Sequence, residues 1–125
     1  MKKFLSFLLI IASISLIACE RDTTYDEFAQ CLTDSGTVYY GAFWCHNCQE
    51  QAKLFGDSKD LIPYVECDAG GKNPQVELCL EEGIDAYPTW RFPDGSELLG
   101  LQTLKTLSEK SYCPLPGEER SILFE

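Results

Sequence analysis

The chain has 125 residues, of which 45% are hydrophobic and 24% charged, a balance that suits one folded domain and argues against intrinsic disorder. Twenty acidic residues against ten basic ones give a net charge of -10. This charge argues against a nucleic-acid partner, since phosphate binding needs a basic face. Seven cysteines in so short a chain point to an oxidising compartment or a metal site.

The N-terminal segment has the pattern of a secretory signal. Two lysines precede a run over residues 4–18 without charge, Pro or Gly, which is shorter than the ~20 residues of a membrane span and suits a signal peptide. Residues 16–19 (Leu-Ile-Ala-Cys) resemble the lipobox of bacterial lipoproteins. We therefore expect cleavage of residues 1–18, a lipid on Cys19 and a tether over residues 19–23, which would anchor an extracytoplasmic domain to a membrane of the cell envelope. The alternative is plain cleavage that leaves Cys19 as a free thiol.

Helical and extended patterns alternate along the remainder of the chain. A capping-box pattern of Thr24 with Glu27, followed by apolar residues at helical spacing, predicts a helix over residues 24–34. β-branched and aromatic residues predict a buried strand over residues 37–44, with Phe43 in the core. Further helices are expected over residues 45–55, 74–82 and 103–111, and further strands over 61–67, 87–92 and 97–100.

This order predicts an α/β fold. A β-α-β unit places its two strands in parallel with a crossover helix, and the final two strands, joined by a turn at residues 93–96, add an antiparallel hairpin. We expect a small mixed four-stranded sheet flanked by helices. The domain would span residues 24–113, followed by a C-terminal tail over residues 114–125 that opens with a Pro- and Gly-rich segment.

Cys45 and Cys48 form a C-x-x-C pair at the start of the second predicted helix. Their spacing puts both on one helix face, and the unpaired N–H groups of a helix N-terminus lower the pKa of a thiol there from about 8.5. We predict that Cys45 is the nucleophile of disulfide exchange and Cys48 the resolving thiol, a chemistry that needs no cofactor. His46 either adds positive charge beside the thiolate or is a solvent-facing turn residue, and Asn47 completes the turn.

A metal site fits the cysteine spacing poorly. A zinc ribbon places a second C-x-x-C pair about 15–20 residues after the first, whereas Cys67 and Cys79 are twelve residues apart. A c-type haem requires His directly after the second cysteine, where this chain has Gln49. The remaining alternative to catalysis is a binding module in which every disulfide is structural.

The segments around the dithiol resemble the thioredoxin fold. A strand ends in Phe43-Trp44 before the C-x-x-C pair, and Tyr87-Pro88-Thr89 precedes a later strand. The resemblance implies that the bond before Pro88 is cis, that Pro88 faces the dithiol, and that the backbone beside it pairs with an extended substrate. Trp44 and Tyr87 would then form an apolar rim that receives substrate, although packing alone explains them nearly as well.

A narrower similarity, over about residues 24–112, is to the thioredoxin-like domain fused to vitamin K epoxide reductase homologues of bacteria and plants. In those fusions the domain oxidises the thiols of secreted proteins and passes the electrons to the membrane reductase. The resemblance implies an oxidant of the cell envelope, with protein thiols as substrates and a membrane protein similar to vitamin K epoxide reductase as a quinone-linked partner. The matching segments are residues 40–45, 48–49, 53–56, 64–68, 83–84 and 87–90.

Two features depart from these families. The middle pair of the dithiol turn is His46-Asn47, where the family usually has Pro within or beside the turn. The preceding strand holds Tyr39 and Tyr40, where reducing thioredoxins carry a buried acid. The second departure favours an oxidant, and an envelope disulfide reductase is the alternative.

Four further cysteines lie outside the dithiol. The resemblance implies a Cys67–Cys79 disulfide, which would stabilise the fold by ~3 kcal/mol in the chain-entropy model. A Cys31–Cys113 bridge would tie the two ends of the domain together. The alternative is a buried free thiol at Cys31 and an exposed one at Cys113.

Overall fold

The structure, a computed structural model, describes residues 19–118. The expected signal peptide and residues 119–125 of the tail lie outside the described residues. Within residues 19–118 no helix is long and apolar enough to cross a bilayer. The helices are α1 (Asp26–Asp34), α2 (His46–Lys53), α3 (Val76–Glu81), α4 (Leu104–Ser111) and a 3-10 helix (Gly56–Leu61), and the strands are β1 (Val38–Gly41), β2 (Tyr64–Glu66), β3 (Thr89–Arg91) and β4 (Glu97–Leu99).

The four strands form one mixed sheet in the order β2-β1-β3-β4. β1 pairs in parallel with β2, with Tyr39 opposite Tyr64, and antiparallel with β3, with Tyr39 opposite Trp90. β3 and β4 form the expected antiparallel hairpin. This mixed sheet with flanking helices is the predicted α/β class and matches a thioredoxin-like fold. The chain leaves the sheet at the end of β1, an interior strand, and enters α2 after a short turn over residues 42–45.

Aromatic side chains fill the larger core beneath α2. The rings of Tyr39 and Trp90 stack with centroids 4.4 Å apart, and those of Phe28 and Phe55 with centroids 5.7 Å apart. These residues pack in one cluster with Cys48. Burial of each such side chain contributes roughly 1.5–3 kcal/mol, so the base of the dithiol helix rests on a well-packed surface.

Neighbouring residues of β1 face opposite sides of the sheet, as strand geometry requires. Tyr39 lies in the larger core, whereas Tyr40 packs with Cys67 and Cys79 in a second, smaller cluster. That cluster includes a residue of α3, so both faces of the sheet are covered.

The first strand is shorter than predicted, and Phe43 does not lie in the core. β1 ends at Gly41, and Phe43 is 52% exposed. The chain turns at this point, where the N–H of Cys45 donates to the carbonyl of Ala42 at 3.0 Å. The placement of Phe43 in the core was therefore wrong, because an aromatic run does not reveal where a strand gives way to a turn.

The first helix also begins later than predicted. α1 starts at Asp26 after Tyr25, which makes no side-chain cap. The N–H of Thr24 donates to Asp22 at 3.0 Å, so the proposed capping box of Thr24 with Glu27 is wrong. The 3-10 helix after α2 was not predicted either, although Gly56 lies at the boundary with a φ of 56°.

Candidate active site

Cys45 occupies the N-cap of α2, as the sequence predicts. Its sulfur accepts the backbone N–H of Cys48 at 3.2 Å. The two residues form a disulfide with Cα atoms 5.2 Å apart, and they are 7% and 5% exposed. An N–H directed at the Cys45 sulfur stabilises a thiolate when the bond is reduced. His46 and Asn47, which lie between the cysteines, are exposed.

Tyr39 lies beneath the second cysteine. Its hydroxyl donates to the carbonyl oxygen of Cys48 at 2.9 Å. Burial raises the pKa of Tyr39 above its ordinary value, so the phenol stays neutral through the physiological range. At this position the chain holds a neutral hydrogen-bond donor, where a reducing thioredoxin would have a carboxylate.

Glu66 is a site residue that the sequence reasoning missed. It is 4% exposed, and its carboxylate accepts three hydrogen bonds. One comes from the N–H of Phe43 at 3.3 Å, one from the N–H of Asp68 at 2.9 Å, and one from the Tyr64 hydroxyl at 2.9 Å. Glu66 therefore ties the turn before the dithiol to the segment that follows β2. An acid within the short apolar run over residues 64–67 was the available sequence signal.

Trp44 is fixed although its side chain is exposed. The indole N–H donates to a carboxylate oxygen of Asp68 at 2.8 Å. This bond, together with one from the N–H of Gly70, lowers the pKa of Asp68. The side-chain amide of Gln49 donates to the carbonyl of Phe43 at 2.8 Å. Trp44, which precedes the dithiol, and Gln49, which follows it, are thus both held by side-chain hydrogen bonds.

The Tyr87–Pro88 bond is cis, as the resemblance implies. The ring of Tyr87 meets the ring of Trp44 edge-on with centroids 6.1 Å apart, which brings the proline segment to the dithiol turn. Pro88 is buried and its carbonyl accepts the N–H of Gly100 at 2.8 Å, while the Thr89 hydroxyl donates to the carbonyl of Ala86. Within the described residues, the backbone N–H and carbonyl of Tyr87 make no hydrogen bond.

The other disulfides join Cys67 to Cys79 and Cys31 to Cys113, with Cα atoms 5.7 and 5.8 Å apart. The first links the end of β2 to α3, and the N–H of Cys67 donates to the carbonyl of Gly41 at 2.8 Å. Among residues 19–118, no three His, Cys, Asp or Glu side chains gather as a metal-binding group. Cys19 is exposed and unpaired in the same part of the chain.

The sequence of the chain is similar to that of a plant oxidoreductase. No family model matches the chain. The thiol-disulfide oxidoreductase LTO1 of Arabidopsis thaliana is 36% identical over 70 residues, which cover 53% of this chain and 19% of that protein. The chain thus matches about a fifth of the length of this curated relative. The similarity and the Cys45–Cys48 disulfide together support a thiol–disulfide redox function.

Proposed function

We propose that the chain is a thiol–disulfide oxidoreductase of the cell envelope that oxidises the thiols of secreted proteins. The observation that carries this proposal is the Cys45–Cys48 disulfide at the N-terminus of α2, with the Cys48 N–H on the Cys45 sulfur at 3.2 Å. A helix N-terminus stabilises the thiolate of the reduced pair and so makes the disulfide more oxidising.

Oxidation proceeds in two exchanges. A substrate thiolate attacks the Cys45 sulfur, the Cys45–Cys48 bond breaks, and Cys48 leaves as a thiolate that takes up a proton. A second substrate thiolate then attacks the substrate sulfur of the mixed disulfide, and Cys45 leaves as the thiolate that the helix N-terminus stabilises. The substrate gains one disulfide, and two electrons stay on the cysteine pair.

Reoxidation uses the two cysteines in the order inferred from the sequence. The Cys45 thiolate attacks a disulfide of the electron acceptor, one acceptor sulfur leaves as a thiolate, and Cys48 gives up its proton to water. The Cys48 thiolate then attacks the Cys45 sulfur of the mixed disulfide and releases the reduced acceptor. The proposed acceptor is a quinone-linked membrane protein similar to vitamin K epoxide reductase. A lipid on Cys19, which is exposed, would hold the domain at the membrane where that acceptor lies.

Two features support an oxidant over a reductant. The group beneath Cys48 is the phenol of Tyr39, whose pKa is raised by burial, so no carboxylate accepts the Cys48 proton from that side. Two further disulfides are typical of a domain that folds in an oxidising compartment.

The open backbone of Tyr87 supports docking of an extended substrate by strand addition.

The test is the reduction potential of the Cys45–Cys48 pair together with its activity. We expect a potential nearer about -120 mV than about -270 mV and oxidation of a reduced, unfolded model protein. The Cys45→Ser variant should abolish that oxidation while circular dichroism shows an intact fold. A potential near about -270 mV would assign the chain as a reductant, and full activity of Cys45→Ser would leave the dithiol as a structural bridge.

A further inference from the structure

An open groove runs beside the dithiol on the side of β2. A cavity of about 230 Å³ borders Cys48. A second cavity, of about 660 Å³, shares part of its lining and continues past the end of β2. We call the two together the β2 groove, and the lining residues that matter below are Phe43, Cys48, Lys59, Ile62, Tyr64 and Lys72.

The apolar walls of the β2 groove are exposed and fixed in place. Phe43 is 52% and Tyr64 38% exposed, and exposed aromatic groups around a concave surface mark interaction sites. Glu66 holds the backbone of Phe43 and the side chain of Tyr64, because its carboxylate accepts the N–H of Phe43 and the hydroxyl of Tyr64. A groove whose walls are already ordered loses little entropy when a ligand binds.

The β2 groove presents two lysines in a chain whose net charge is -10. Among residues 19–118, Lys59 and Lys72 are the lysines that have no carboxylate within 4.0 Å, and both line the groove. The lining also holds two acids: Glu66, whose carboxylate accepts three hydrogen bonds, and Asp60, which is exposed. The other cationic side chains described are ion-paired, namely Arg21, Lys53, Arg91, Lys105 and Lys110.

We propose that the β2 groove is a docking surface for an acidic polypeptide segment with an aromatic or aliphatic side chain. The segment belongs to a protein that exchanges disulfides at the dithiol, so this inference rests on the proposed function. Its carboxylates pair with Lys59 and Lys72, and its apolar side chain packs on Phe43 and Tyr64. Because Cys48 borders the groove, a segment bound there lies next to the reacting sulfurs.

The β2 groove is separate from the proline segment. β1 lies between β2 and β3 in the sheet, so the groove flanks one side of β1 and the Tyr87–Pro88 segment precedes the strand on the other side. A substrate strand paired with Tyr87 therefore leaves the groove open for a second segment of the same partner.

A polypeptide fits the β2 groove better than an anionic membrane does. Recognition of anionic lipids typically uses clusters of about 4–8 basic residues, whereas this groove offers Lys59 and Lys72. Two charges beside a narrow apolar wall match a short acidic and aromatic segment.

Binding of a cysteine-free probe tests the inference without using the redox reaction. The probe is a fluorescein-labelled peptide with four glutamates around two phenylalanines, and its counterpart has serines in place of the glutamates. We expect Lys59→Glu with Lys72→Glu to weaken binding of the acidic probe by about tenfold, as two partly exposed ion pairs would. The matched control, Lys53→Glu with Lys105→Glu, has the same net charge and should change binding less than about threefold.

Several outcomes would overturn the inference. Equal weakening in the two double variants would assign the effect to net charge, and equal binding of the acidic and serine probes would remove the role of the lysines. Competition by phosphatidylglycerol vesicles through Lys59 and Lys72 would make the groove a lipid site. A dimer in sedimentation that depends on the same lysines would assign the groove to a second copy of the chain.

The redox function is measured separately on the same proteins. A short neutral dithiol peptide that lacks acidic residues reports oxidation by Cys45–Cys48. Failure of the unmodified protein to oxidise this peptide would overturn the proposed function and leave the binding result intact. Normal oxidation of this peptide, together with equal binding of the acidic and serine probes, would overturn only the proposal that the β2 groove is a docking surface.

Discussion

The indole N–H of Trp44 donates to the carboxylate of Asp68 across 2.8 Å, which ties the residue before the dithiol to the segment after β2. Trp44 also contacts Tyr87 through its ring. One hydrogen bond therefore sets the orientation of the aromatic rim between the dithiol and the cis proline.

Replacing Asp68 with Ala should release the Trp44 ring from this orientation. We expect the KM for a reduced protein substrate to rise by about threefold to tenfold, as loss of one charge-assisted hydrogen bond predicts, with kcat nearly unchanged. Steady-state kinetics separate the two parameters. Asp85→Ala, which removes an exposed acid, is the control. A fall in kcat at constant KM would show that Asp68 acts on the chemistry and not on the rim.

Replacing Glu66 with Gln should destabilise the whole domain. The amide is neutral, so the bonds from the N–H groups of Phe43 and Asp68 lose the strength that a charged acceptor gives them, and the Tyr64 hydroxyl must turn to accept from the new amide N–H. We expect a loss of about 1–3 kcal/mol in the free energy of unfolding, measured by urea titration. Glu77→Gln, which changes an exposed acid, should leave stability unchanged. Equal stability of both variants would mean that Glu66 does not organise the turn.

Glu66 also marks the limit of what the sequence predicts. The dithiol at a helix start and the mixed sheet follow from local patterns of cysteine spacing, turn residues and alternating elements. The cis bond before Pro88 followed from the resemblance to the thioredoxin fold. The burial of Glu66 and the exposure of Phe43 depend on which segments meet in space. Both residues lie in short runs with aromatic neighbours that predict a strand. Within such a run, only tertiary contacts decide whether a side chain is buried, as Glu66 is, or exposed, as Phe43 is.

The two disulfides outside the dithiol should contribute different amounts of stability. Cys67–Cys79 spans 12 residues and Cys31–Cys113 spans 82. In the chain-entropy model their removal costs roughly 3 and roughly 4.5 kcal/mol. Paired Ala variants compared by urea unfolding test this order. A larger loss in the free energy of unfolding after removal of Cys67–Cys79 than after removal of Cys31–Cys113 would show that native contacts around Cys67, and not loop length, dominate.

Alkaline pH should destabilise the fold through its buried phenols. Burial raises the pKa of Tyr39, and burial with the hydrogen bond to Glu66 raises that of Tyr64. The unfolded phenols ionise near 10 and the folded ones higher. This stabilisation is therefore complete below pH ~10 and is lost as pH rises toward the folded pKa values. The Tyr64→Phe variant should lose less stability between pH ~9 and ~11 than the unmodified protein, as thermal unfolding can show. Parallel pH profiles would contradict the assignment.

The ionisation of the Cys45 thiol tests the central claim most directly. The rate of alkylation of Cys45 in the reduced protein, followed against pH by mass spectrometry, reports its thiolate fraction. We predict half-ionisation of Cys45 well below about 8.5, with Cys48 alkylated more slowly at every pH. A Cys45 thiol that ionises at about 8.5 or above would contradict the account.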